Sequence, residues 1–176
     1  MLLYAGIGSR ETPREITDKM KSIATQLAPV WTLRSGHADG ADAAFENGAI
    51  IGKGNMEIFL PWQGFNNAPR HNQFYLVPNF TKDLEEFSAA FHPAWKSCSD
   101  AAKALHMRNA CQILGQYGDA PVDMVICWTK DGKRKGGTGQ ALRIAEYTHI
   151  PIFDLALPDT PVRLCSFVNA KVTRAA

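Results

Sequence analysis

Apolar residues along the chain fall into short runs, and most of these runs are followed by a glycine turn and then a stretch with helical spacing. The first run, Leu2 to Gly8, ends in glycines and leads through Ser9 and Arg10 to Thr12-Pro13-Arg14-Glu15. That tetrad reads as a helix start. Thr12 stands as the cap, Pro13 suits the first helical position, and Glu15 completes a capping box three residues after Thr12. Ile16, Met20, Ile23, Ala24 and Leu27 then recur on one helical face as far as Pro29. A second strand, Trp31-Thr32-Leu33, ends in Ser35-Gly36, and a tightly packed small-residue helix runs from Asp39 to Ala49. Met56 to Pro61 forms a third strand.

From residue 62 to about 80 the alternation stops, and a loop carrying Trp62, Phe65, Phe74 and Tyr75 is predicted. So long a connection is usually functional. Helical patterning resumes over Leu84–Phe91 and Ala94–Leu114, with Pro93 between the pieces. Val122–Thr129 is continuously apolar at its centre, as a strand buried on both faces should be. A basic loop, Lys130 to Lys135, leads to Gly136-Gly137-Thr138-Gly139, a helix through Tyr147, and a fifth strand at Ile150–Leu155. Beyond Pro158, Val162, Leu164, Phe167 and Val168 suit an added edge strand or a dimer contact. Strands alternating with crossover helices predict an α/β, Rossmann-like three-layer αβα fold with a mostly parallel sheet of at least five strands. Ligands of such sheets bind beyond the carboxyl ends of the strands.

Composition narrows the function classes. The chain has 176 residues, 45% hydrophobic and 20% charged, with a formal net charge of +2, so one domain over 1–176 is expected and a disordered chain is not. There is no apolar run of membrane-span length and no basic, cleavable leader, which points to a cytoplasmic protein without membrane contact. Cys98, Cys111, Cys127 and Cys165 make no CxxC pair, and the five histidines show no ligand spacing, so neither a metal nor a cofactor is expected. The weak charge does not by itself call for bulk nucleic-acid binding.

Three glycine turns each follow a strand and precede a helix: Gly6-Ile7-Gly8-Ser9-Arg10, Ser35-Gly36-His37-Ala38-Asp39-Gly40 and Gly136-Gly137-Thr138-Gly139. In a parallel sheet all three meet at one edge. Glycine permits close backbone approach, and free N–H groups at a helix start favour a phosphate. Gly8, Ser9, Arg10, Gly136, Gly137, Thr138 and Gly139 are therefore the phosphate candidates, with Ser35 and Gly36 as the floor of the site. Asp39 and Asp42 are the carboxylates placed to meet a sugar or to act in catalysis, and Glu46 stands one turn further on. Trp62 or Phe65 would close the long loop over a base.

Two segments carry a family resemblance. Ser35-Gly36-His37-Ala38-Asp39-Gly40-Ala41-Asp42-Ala43-Ala44-Phe45-Glu46-Asn47-Gly48-Ala49 resembles the S-G-x-A-x-G-x-D-x-x-A-x-x-G-A signature of DprA/Smf-like proteins, and Met107-Arg108-Asn109-Ala110-Cys111-Gln112-Ile113-Leu114-Gly115 resembles their R-N-x-I-I-A-G segment. The opening GIGSR, Asp123-Met124-Val125-Ile126, GGTGQALRIA and IPIFDL follow in the same order. The resemblance extends to the wider SLOG superfamily of Rossmann-like nucleotide-binding proteins, with its LOG-like and YspA-like members. It implies a nucleotide or nucleotide-derived ligand, with Arg108 neutralising its phosphate and serving in catalysis. N-glycosidic hydrolysis is the reaction implied by the LOG-like branch, although Leu142 or Arg143 stands where those enzymes carry their glutamate. The DprA-like branch implies the alternative, a noncatalytic protein that binds single-stranded DNA, and implies a homodimer.

Overall fold

The computed structural model describes residues 1–175. Its six strands are β1 (Leu2–Gly6), β2 (Trp31–Ser35), β3 (Met56–Phe59), β4 (Tyr75–Leu76), β5 (Met124–Cys127) and β6 (Ile152–Asp154). All pair in parallel, in the spatial order β4-β3-β2-β1-β5-β6. The chain thus lays down β1 to β4 in one direction, then returns to place β5 on the free side of β1. Six α-helices cover the sheet: α1 (Arg14–Leu27), α2 (Ala41–Ile51), α3 (Lys82–Ala90), α4 (Asp100–Leu114), α5 (Gly136–Tyr147) and α6 (Thr160–Ala175). The predicted α/β three-layer architecture is the one observed.

Alternation along the central strands divides the core in two. Tyr4, Met124 and Ile126 face one layer with Met20, Ala24, Phe45 and, from α6, Leu164. Leu3, Ala5, Val125 and Cys127 face the other with Ala110, Ile113, Leu142 and Ile144. Each strand residue therefore buries its side chain whichever way it points, and this is why β1 and β5 lack polar positions. Tyr4 is almost wholly buried between Trp31 and Phe45, edge-on to both rings, yet its hydroxyl has no hydrogen-bond partner among the described residues.

Several elements differ from the sequence reading. The loop from residue 62 contains a sixth strand, β4, whose two residues extend the sheet beside β3 at Ile58 and Phe59. The segment after Pro158 is a helix rather than an edge strand; α6 packs Phe167 against Phe153 of β6. The predicted helix Ala94–Leu114 is a 3-10 turn at Trp95–Ser97 and then α4, because Ser99 caps the new start by accepting from the Ala102 N–H at 3.3 Å. Thr12 is not the cap of α1: its hydroxyl donates to the Ser9 carbonyl at 2.7 Å, and Pro13 takes the capping place without a side-chain bond. The second helix starts at Ala41 and not Asp39. Gly40 precedes it at φ +79°, where a Cβ would come within 2.6 Å of the Ser9 carbonyl oxygen. The missing side chain lets the first two glycine turns meet, and the Ala41 N–H donates to that same Ser9 carbonyl at 3.3 Å. Among the described residues no helix is long and apolar enough to cross a membrane.

Candidate functional site

Because β2 and β5 flank β1 on opposite sides and their connections diverge, a crevice opens past the carboxyl ends of β1 and β5. It holds a cavity of about 700 Å³, within the size range of small-ligand sites. One wall is the turn after β1, Ile7 to Glu11; the facing wall is the loop after β5, Trp128 to Lys135, running into the start of α5. The floor is a face of α4, where Leu105, His106, Arg108, Asn109 and Gln112 meet the cavity.

Arg108 dominates the interior. Its side chain is 6% exposed and its Nη1 stands 3.3 Å from Oδ2 of Asp42, itself 5% exposed. Asp42 also accepts from the Ala38 N–H at 3.4 Å. Burial pushes the Asp42 carboxyl above its ordinary range and pulls Arg108 below its own, and the attraction between the two opposes both shifts. The Gln112 amide oxygen accepts from Arg108 Nη1 at 3.2 Å and from the Gly36 N–H at 2.8 Å. The Phe65 ring lies under the guanidinium, 5.9 Å from Cζ to centroid. One guanidinium donor, Nε, is buried without a partner among the described residues.

Charge around the mouth is uneven. Asp131 pairs with Lys133 at 3.8 Å, whereas Arg10, Lys130 and Lys135, all exposed, have no carboxylate partner among the described residues. The start of α5 adds to this field. No side chain among the described residues caps it, so the N–H groups of its first turn at Gly136, Gly137 and Thr138 are open to an anion.

Of the residues predicted for the site, Gly8, Ser9, Arg10, Asp42, Arg108, Gly136, Gly137 and Thr138 line this crevice. Ser35, Gly36, Asp39, Trp62 and Gly139 do not. Ser35 is buried beneath it, donating to the Gly6 carbonyl at 2.8 Å. Gly36 makes room for Arg108: a Cβ there would stand 1.4 Å from Nη1. Asp39 accepts from the Asn66 side chain at 3.1 Å, outside the cavity. Trp62 is 41% exposed and packs edge-on against Phe65, 5.3 Å between centroids. Gly139 lies against the Arg134 backbone. Glu46 is bound up with His37 Nδ1 at 2.8 Å and with the Tyr75 hydroxyl.

His106, Asn109 and Gln112 were not predicted as site residues. Their signal was present in the chain, since Leu105, Arg108, Asn109 and Gln112 recur at the spacing of one helix face, but polar residues on such a face read as solvent-exposed until the opposing loops are placed. His106 donates Nδ1–H to the Gln140 amide oxygen at 3.0 Å, and burial holds its pKa below the ordinary imidazole value.

This architecture has counterparts among solved structures. A DNA processing protein A from Helicobacter pylori, described for its single-stranded DNA binding mode, superimposes with a TM-score of 0.53 over 94% of this chain and 72% of its own, at 18% identity. The fold is shared with DNA processing protein A. The DprA of Streptococcus pneumoniae gives 0.51 at 15% identity, over 94% of this chain and 56% of that one. The chain therefore spans little more than half of the pneumococcal DprA. No family model and no curated protein matches the sequence.

Proposed function

We propose that the crevice binds single-stranded DNA through its phosphates, with one nucleotide unit entering the cavity. The observation that carries this reading is Arg108: a buried guanidinium on the crevice floor, held through Nη1 by Asp42 at 3.3 Å and by the Gln112 amide oxygen at 3.2 Å, and left with an Nε that has no partner among the described residues. A buried charged donor without a partner is costly, and an anionic oxygen is the group that satisfies it. The open first turn of α5 and the unpaired Arg10, Lys130 and Lys135 at the mouth provide further phosphate contacts and a path for a strand leaving the cavity. The shared fold with a DprA known for single-stranded DNA binding supports a strand as the source of the phosphate.

A second reading, a free nucleotide or nucleotide-derived ligand, is favoured by the concave shape and the cavity of about 700 Å³, which suits one such molecule. Binding, not hydrolysis, is the activity the side chains favour. Asp42 is tied to Arg108, Asp39 to Asn66, and Glu46 to His37 and Tyr75, so each carboxylate considered for sugar chemistry is already engaged.

Fluorescence anisotropy with a labelled oligonucleotide tests the assignment. Wild-type protein should bind at low salt and release steeply as salt rises, and Arg10→Ala and Thr138→Ala should each weaken binding by about 10-fold. Affinity unchanged in both variants would remove the crevice from the interaction. Binding of a nucleoside monophosphate without binding of the oligonucleotide would transfer the site to the second reading.

A further inference from the structure

We propose that His92, Cys98 and His106 form a binding site for a soft divalent cation of the zinc class. His92 and Cys98 flank the 3-10 turn Trp95–Ser97 in the connection from α3 to α4, and His106 projects from the second turn of α4. One ligand atom from each residue lies within 4.8 Å of the other two. The Cys98 sulfur is 3.7 Å from His92 Nδ1, and the two imidazole centroids are 4.2 Å apart. A tetrahedral zinc ion with bonds of about 2.0 to 2.3 Å sets its ligand atoms roughly 3.4 to 3.8 Å apart, so the set closes by an inward turn in which His92 Nδ1 gives up the Ala94 N–H, 3.3 Å away, and the Cys98 thiol gives up the Ala94 carbonyl, 3.5 Å away.

The second observation is the support behind His106. The Gln140 side chain is wholly buried, its amide nitrogen donates to the Ser88 carbonyl at 3.2 Å, and its oxygen accepts from Asn109 at 3.4 Å. The amide orientation is thus fixed with oxygen towards His106, which must donate from Nδ1. Nε2 is left with its lone pair available. Anchoring the far nitrogen of an imidazole on a buried carbonyl-type oxygen is how metal-ligating histidines are oriented. A thiolate with two imidazoles and no carboxylate selects zinc over magnesium or calcium. His106 also lines the crevice, so the ion stands at its wall, with three protein ligands and a fourth place for water or an oxygen of the bound ligand.

The spacing of these residues, with five residues between His92 and Cys98 and seven between Cys98 and His106, follows no ligand pattern. The ligands come from a loop and a helix joined by a turn whose shape the sequence does not announce.

The test uses the full chain, stripped with a chelator and dialysed. Titration with Zn²⁺ against a chromogenic chelator should give one tight equivalent. Co²⁺ in its place should produce visible bands of tetrahedral intensity and a near-ultraviolet thiolate-to-cobalt band. Cys98→Ser should abolish the thiolate band and weaken binding at least 10-fold, while Cys165→Ser keeps both as in wild type. His92→Ala, on the connecting segment, is the second variant and should also lose at least 10-fold, its fold checked by circular dichroism. Less than one equivalent in the wild type, a Cys98→Ser protein that keeps the band, or loss of the band in Cys165→Ser overturns the proposal.

Discussion

Arg108 and Asp42 face each other across 3.3 Å in an almost dry interior, one from α4 and the other from the first turn of α2. Such a pair contributes little net stability, because desolvation offsets attraction, but removing one member leaves a bare buried charge. Asp42→Asn should therefore destabilise the fold by about 3 kcal/mol. Urea denaturation with and without inorganic phosphate checks this, and phosphate should restore more stability to the variant than to the wild type. Equal stabilisation of the two proteins would show that Arg108 does not meet the anion.

Gly36→Ala should act on the crevice from beneath. The added methyl would occupy the place of the Arg108 guanidinium, and moving that group breaks its hydrogen bonds with Asp42 and Gln112. A loss of about 1 to 3 kcal/mol is expected, with weaker oligonucleotide binding. Thermal melting and anisotropy on the same preparation read both effects.

The cations at the mouth predict a measurable electrostatic signature. Replacing Lys130 and Lys135 by alanine should reduce the slope of log K against log salt by roughly 0.7 for each phosphate of a single strand that is no longer neutralised. The measurement is a salt series with wild-type and doubly substituted protein. An identical slope would place the strand elsewhere.

The four thiols should divide by reactivity and give the protein an alkaline limit. Burial pushes Cys111 up to about 12 and raises Cys127 further, whereas Cys165 is exposed and Cys98 partly so. Native protein should show two fast and two slow thiols towards an aromatic disulfide reagent. In the unfolded chain both thiols ionise at about 8.5. Their folded pKa values are raised, so their contribution to stability is complete below that pH and is lost as pH climbs towards the folded values, by about 2 kcal/mol per thiol at pH 10. Cys111→Ala should flatten this decline in denaturation curves measured between pH 8 and 10.

Tyr4→Phe should be neutral or stabilising, by up to about 1 kcal/mol. The buried hydroxyl lacks a partner, while the ring keeps its edge contacts with Trp31 and Phe45. Urea denaturation measures it, and a loss above about 1 kcal/mol would mean that the hydroxyl is hydrogen-bonded in solution.

The parts of the fold that were legible in the chain are those where local signals agree. Apolar runs ending in glycine marked β1, β2 and the start of α5, and their alternation with helical segments implied the parallel sheet. Tyr75–Leu76 was hidden because two residues carry no period; pairing with Ile58 and Phe59 makes them a strand. Thr12 misled because its hydroxyl serves the turn at Ser9 rather than the helix behind it. At the candidate site the backbone-bearing turns were readable, but Ser35, Gly36 and Gly139 shape the site without lining it. A glycine that admits a ligand and a glycine that admits a neighbouring side chain look alike in sequence. His92, Cys98 and His106 were invisible as a group because their proximity depends on the path of the turn at Trp95–Ser97.

The return of β5 to the side of β1 means that the two crevice walls, Ile7 to Glu11 and Trp128 to Lys135, are more than a hundred residues apart in the chain and are held together by a parallel strand pair. The crevice is thus a seam between an early half that carries β1 to β4 and a late half that carries β5 and β6. A ligand lying across it acts as a clasp on that seam. Its binding energy is spent on the long-range pairing that folding forms at the greatest entropic cost.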